Sequence, residues 1–366
     1  MVDVRDTALA TRHEGLSARM GPFAGWRMPL HYGSILDEAS HVRASAGLFD
    51  LCHMGRLRLS GPDCIAVTDR LVTCAVDTLK LGRIRYGLLT REDGTTIDDV
   101  LVYREPESIF LCVNAGNLAR DVAWIEAHLA GTETRLHDLS TSHAMLALQG
   151  PRSVDIVRAL CSGDPGAIKY YGFGSMTVAD VADTMISRTG YTGEDGFELV
   201  FPMDRVAEVF DRLMEHGTSL GLRPIGLAAR DTLRLEAGMP LYGHELDDAT
   251  TPVEAGLMFA VSKRFDFIGG PAIQAIHERG PDRQLIGFVA EGPRVPRQGT
   301  PILAGDEVVG EVRSGTRSPT LGASIGTGYV ETAKVSTALP LALELRSARV
   351  PVEPVKLPFY HRENGT

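Results

Sequence analysis

Short apolar runs that never reach helical length fill the last ninety or so residues of this chain. They are "QLIGFVA" (284–290), "EVVGEVRSG" (307–315), "LALELR" (341–346) and "ARVPVEPVKL" (348–357). Gly, Pro, Ser and Thr separate them, and strands at that spacing close most readily into a small antiparallel barrel or sandwich. The earlier part is mixed. Residues 35–47 have helical spacing and end on Gly47, which reads as a C′ glycine. The stretches 203–217 and 225–238 also read as helices, whereas "HAMLALQ" and "SIFLCVNA" read as strands. The expected class is therefore α+β, and a length of 366 residues predicts two or three domains.

Two apolar runs, "RYGLLT" and "IDDVLVY", flank Asp93-Gly94, a strong hairpin signal. The second opens on adjacent aspartates, Asp98 and Asp99. Successive strand side chains point to opposite faces, so the two cannot form a same-face pair of the kind a glycosidase needs. Only one can serve chemistry in a pocket, and both can simply finish the turn.

Other candidates carry chemistry less directly. The glycine loop of "TGYTGEDGFELVF" leads into a strand, whereas phosphate-binding glycine loops lead into a helix, so a dinucleotide site is a poor reading. Glu198 lies inside that apolar strand, where a carboxylate faces either solvent or donors in a pocket. Arg230 and Arg234 share one helix face, a fork suited to a carboxylate or to ion pairs on the helix. His244-Glu245 lacks the paired histidines of a zinc helix, and no metal site is expected. The five cysteines are scattered without Cys-x-x-Cys spacing and read as structural thiols of a reducing compartment. A net charge of −10 argues against general nucleic-acid binding. The amino terminus lacks the apolar core of a secretion signal and no run approaches membrane-spanning length, so the expected location is cytoplasmic.

Several stretches together resemble the aminomethyltransferase, or T-protein, family of the glycine cleavage system. They include "FAGWRMPLHYGS" (23–34), "RASAGLFDLCHMG" (43–55), "IDDVLVY" (97–103), "LALQGP" (146–151), "TGYTGEDGFEL" (189–199), "ARDTLRLEAGMPLYGHELD" (229–247), "DFIGG" (266–270) and "SGTRSPTLG" (314–322). The resemblance spans nearly the whole chain. It implies a three-domain cloverleaf around a central folate-binding channel. Its expected parts are a discontinuous α+β folate-binding domain (1–50 and 140–275), an α+β domain (51–139) carrying Asp98, and a carboxy-terminal antiparallel β-barrel (276–366). The implied reaction moves the methylene of an aminomethyl group from the dihydrolipoyl arm of the lipoylated H-protein to tetrahydrofolate and releases ammonia.

Residue by residue, the resemblance implies that Asp98 sits beside the reacting folate amines, where an anion stabilises developing positive charge. It implies that Glu198 accepts the N–H donors of the pterin edge. Arg230 and Arg362 match folate-contacting arginines, and Tyr191, Tyr86 and Asn114 match lining positions. No metal, nucleic acid or membrane is implied. Cys52, Thr95-Thr96 and Arg317 depart from the family pattern without touching these positions. Two further readings use the same scaffold: a tetrahydrofolate-dependent demethylase of a small N-, S- or O-methylated compound, and a non-catalytic folate-binding accessory protein. The second is disfavoured by the absence of a Lys-Gly-Cys-Tyr stretch.

Overall fold

The computed structural model describes residues 4–335, 340–345 and 348–362; the last four positions of the expected carboxy-terminal domain lie outside them. The chain divides into two compact units. The first comprises Met1–Asp69, Ala75–Tyr86 and Val100–Asp231, and the second Arg70–Cys74, Gly87–Asp99 and Thr232–Thr366.

The first unit is built on a six-stranded sheet, in the order Phe173–Val178, Val181–Ser187, Gly196–Pro202, His143–Gln149, Ala46–Asp50 and Leu222–Pro224. Alternation along these strands decides which residues enter the main core. Ala46, Leu48, Ala144, Leu146, Leu148, Phe197, Leu199 and Phe201 pack there with Ile156, Val209, Phe210 and Leu213. Those last four come from the helices Ser153–Arg158 and Val206–Thr218. The intervening positions face the other way, and in register they line up as Ser187, Glu198, Ala147 and Phe49. One strand period thus fills a core with one set of side chains and lays a carboxylate on the opposite face.

Gly47 corrects the reading of residues 35–47. The helix is Ile35–Ala44, and Gly47 sits inside the strand Ala46–Asp50. A Cβ there would come within 2.4 Å of Ile225 and 2.8 Å of Val42, so close packing rather than a left-handed turn requires the glycine. The hairpin is as expected: strands Ile84–Thr90 and Thr96–Arg104 flank Gly94, whose φ is +83°. Along the second strand Asp98 is fully buried and Asp99 half-buried, as opposite faces demand.

The second unit holds a closed antiparallel barrel of six strands, in the order Arg283–Ala290, Ala323–Glu331, Glu307–Ser318, Pro301–Ala304, Leu341–Leu345 and Ala348–Val355. Phe288, Ile302, Val312, Val330 and Leu343 fill it. Arg234, on the helix Leu227–Glu236, belongs to the second unit. Its guanidinium reaches Glu245 at 2.7 Å and Ser314 at 2.8 Å, with almost no exposure of either charged side chain. Glu245 also accepts from Leu241 N at 3.0 Å and from the Thr327 hydroxyl. A buried pair so fully bonded is costly to break from one side.

Glu245→Ala should lower the unfolding free energy by about 3–5 kcal/mol, because it strands Arg234 without its counter-charge. Arg12→Ala, which breaks the exposed Arg12–Asp211 pair, should cost less than about 1 kcal/mol. Denaturant unfolding of the two variants checks the contrast.

Candidate functional site

Glu198 is nearly inaccessible, at 4% exposure, in the middle of the six-stranded sheet. Its Oε2 accepts the Thr189 hydroxyl at 2.5 Å, and Thr189 in turn shares a hydrogen bond with Ser187 at 2.9 Å. Burial pushes the Glu198 carboxyl above its ordinary value, while the Thr189 bond and the positive charge of Arg230 pull against that rise. Arg230, the source of that charge, lies on the helix Leu227–Glu236. Its guanidinium lies 4.8 Å from the Tyr191 ring centre and 6.0 Å from that of Phe49. Burial pulls its pKa down, and Glu198 and Tyr191 counter that fall. The Nη1 of Arg230 is buried and has no hydrogen-bond partner. A buried donor left so costs about 1–3 kcal/mol unless a ligand takes it up.

The glycine loop presents Tyr191 to this arginine, and it is held rigidly. Gln149 donates to Thr189 O at 3.0 Å and accepts from the Thr192 hydroxyl at 3.0 Å. A Cβ at Gly190 would lie 1.8 Å from the Gln149 amide oxygen, so the loop wraps this side chain as only glycine allows. Arg43 donates to Thr192 O at 2.6 Å and to Glu194 at 2.9 Å, and Arg188 pairs with Asp195 at 2.6 Å. The loop joins two antiparallel strands and is therefore a hairpin connection.

The helix carrying Arg230 is anchored at its start. Glu38 accepts from Gly226 N at 2.8 Å and from Tyr32 N at 2.7 Å. A carboxylate at that end also suits the helix dipole.

Of the residues expected from sequence, Glu198, Arg230 and Tyr191 come together. In the same unit, Tyr86 is half-buried on the strand Ile84–Thr90 and Asn114 half-buried just after Ser108–Val113. Asp98 and Arg362 belong to the second unit. Asp98 lies on a strand whose Thr96 N donates to Thr250 O at 2.9 Å and whose Thr96 O accepts from the Tyr242 hydroxyl at 3.3 Å. Arg362 is half-buried at the end of the described chain. Arg234, on the same face as Arg230 in the sequence, is committed to Glu245. Thr189, Ser187 and Gln149 were not singled out from sequence. A polar Gln closing the apolar run "HAMLALQ" was the available signal for the last. Among the described residues, no group of three or more His, Cys, Asp or Glu is placed to hold a metal ion. None of the described helices is long and apolar enough to cross a membrane.

Residues 9–264 match the GCVT N-terminal domain, and residues 283–361 match the glycine cleavage T-protein C-terminal barrel domain. The chain belongs to the glycine cleavage T-protein family. Relatives named aminomethyltransferase occur in Streptomyces avermitilis, with 44% identity across 98% of both chains, and in Bacillus mycoides, with 39% identity across 99% of this chain and all of that one. A crystal structure of the glycine cleavage system aminomethyltransferase T from Bartonella henselae superposes with a TM-score of 0.91. It is 32% identical and covers 98% of each chain. The mixed α/β architecture and the closed carboxy-terminal barrel are those of this family.

An acid whose pKa is raised by folding destabilises the folded state above that pKa. Glu198→Gln should therefore raise the melting temperature of the ligand-free protein at neutral pH. The advantage should vanish as pH falls through the raised pKa of Glu198, where the wild-type side chain is also neutral. Calorimetric melts across that range check both signs.

Proposed function

We propose that this chain is the aminomethyltransferase of the glycine cleavage system. It moves the methylene of the aminomethyl group on the dihydrolipoyl arm of the H-protein to tetrahydrofolate, and ammonia leaves. The observation that carries this reading is the buried Glu198–Arg230 pair, with its unpartnered guanidinium nitrogen, in a chain that matches the family over its full length.

The residues fit tetrahydrofolate chemically. A carboxylate with one oxygen already oriented by Thr189 is a bidentate acceptor for the N–H and amino donors of a pterin edge. The guanidinium offers its unused N–H to ligand oxygen or nitrogen acceptors, and Tyr191 and Phe49 supply flat apolar surface. When bound, tetrahydrofolate supplies the amines that accept the one-carbon unit. Tyr86 and Asn114 add lining contacts in this proposal, and Arg362 adds a second cation for the folate.

Asp98 has a different task. Its charge stabilises positive charge developing at the transferred carbon, and it orients the folate amine that attacks. Full burial favours that role, because an electrostatic contribution grows as water is excluded. Asp99, half-buried on the other face of the strand, has a structural role.

Mixing the protein with tetrahydrofolate and aminomethyl-loaded lipoyl carrier, and measuring ammonia and methylene-tetrahydrofolate, tests the reading. Folate-dependent release of both is expected; release no faster than without protein would overturn it. Asp98→Asn should lower kcat by about 100-fold or more while folate affinity stays within about threefold. Asp99→Asn should change kcat by less than about fivefold. A larger loss from Asp99→Asn would mean the wrong aspartate has been assigned.

A further inference from the structure

His53 is a second buried group with an unanswered nitrogen, and nothing in the reading above uses it. The side chain lies just after the strand Ala46–Asp50, whose Phe49 lies under Arg230. It is 3% exposed, and its Nδ1 has no hydrogen-bond partner. Arg230 is among the charges acting on the ring, together with Asp50 and Arg56. Burial, the largest influence, lowers its pKa to about 4, against a smaller upward pull from Asp50, so the ring is neutral near pH 7. A neutral imidazole carries one donor and one acceptor nitrogen.

The backbone around His53 is fixed from several sides. Leu51 N donates to Met145 O at 3.0 Å, Cys52 N to Asp50 Oδ1 at 2.8 Å, and Met54 N to Leu51 O at 3.0 Å. The fully buried Arg56 donates to Leu51 O at 3.4 Å, to Cys52 O at 3.1 Å and to Ser140 O. Asp50 is itself held by His13 at 3.0 Å and Thr7 at 2.5 Å, and Phe23 packs edge-on against the His53 ring at 5.5 Å. A loop so completely bonded does not leave a buried nitrogen unsatisfied for want of order. The Nδ1 of His53 and the Nη1 of Arg230 are both buried without a hydrogen-bond partner, and the strand that precedes His53 carries the Phe49 ring over which Arg230 lies.

We propose that His53 is a ligand-contacting residue of the Glu198–Arg230 site, its Nδ1 hydrogen-bonding a polar group of bound tetrahydrofolate. The inference rests on the functional reading above. It adds a neutral, direction-setting contact to the two charged ones and gives His53 a part in affinity rather than in core packing.

Titration calorimetry with tetrahydrofolate tests it on wild-type protein and the variants His53→Asn, His53→Gln and His53→Leu. Asn places a polar atom near the position of Nδ1, whereas Gln reaches toward Nε2. His53→Leu should weaken binding by about tenfold or more, His53→Asn by less than about threefold, and His53→Gln should resemble Leu. If the Leu variant melts like wild type and binds equally well, or if Asn and Leu lose affinity alike, the proposal fails. If the Leu variant does not fold, nitrogen NMR of histidine-labelled wild-type protein decides. A shift of the His53 Nδ1 signal on adding tetrahydrofolate supports the contact, and an unmoved signal overturns it. Wild-type protein that does not bind tetrahydrofolate at all would instead overturn the functional reading itself.

Discussion

A carboxylate in the middle of a sheet has lost its water, and the arrangement around Glu198 follows from that loss. Desolvation raises the free energy of the charged form. The protein offsets it in part through the Thr189 hydroxyl and the opposing charge of Arg230. It does not offset it fully, since the carboxyl remains above its ordinary value and Arg230 keeps an unpartnered nitrogen. In the proposed function, that residual dissatisfaction is what a ligand with matching donors and acceptors would relieve. Gln149 and Arg43 hold the Tyr191 loop in place, and Glu38 holds the start of the arginine's helix.

The same helix shows how one sequence pattern serves two ends. Arg230 and Arg234 are one turn apart, yet Arg234 is satisfied by Glu245, Ser314 and Met239 O, whereas the Nη1 of Arg230 has no hydrogen-bond partner. A fully bonded buried pair fixes structure. An incompletely bonded one marks a site. The distinction lies in the partners and not in the arginines.

Much of this was legible in the sequence where the physics is local. Period-2 alternation gave the strands, Asp93-Gly94 gave the hairpin, and short runs between turn residues narrowed the carboxy-terminal part to a barrel or sandwich, of which the family resemblance implied the barrel. Alternation also separated Asp98 from Asp99 before any coordinates. Gly47 was misread because a glycine after a helical stretch has two physical uses, a left-handed turn or close backbone packing. The Cβ clash with Ile225 that chooses between them comes from far along the chain. The Asp50–His13 bond and the wrapping of Gln149 were hidden for the same reason, since they join residues 37 or more apart. The choice of Glu198 and Arg230 as candidate site residues came from the resemblance to a family. Their burial and mutual electrostatics supply the physical reason.

If Glu198 is held above its ordinary pKa for the sake of a ligand's N–H donors, binding must lower that pKa and expel a proton. Calorimetry of tetrahydrofolate binding in buffers of different ionisation enthalpy, scanned downward from neutral pH, measures this directly. The account predicts net proton release that grows toward the raised pKa of Glu198 and is absent from Glu198→Gln. Binding with no proton release, or release that persists in the Gln variant, would contradict it.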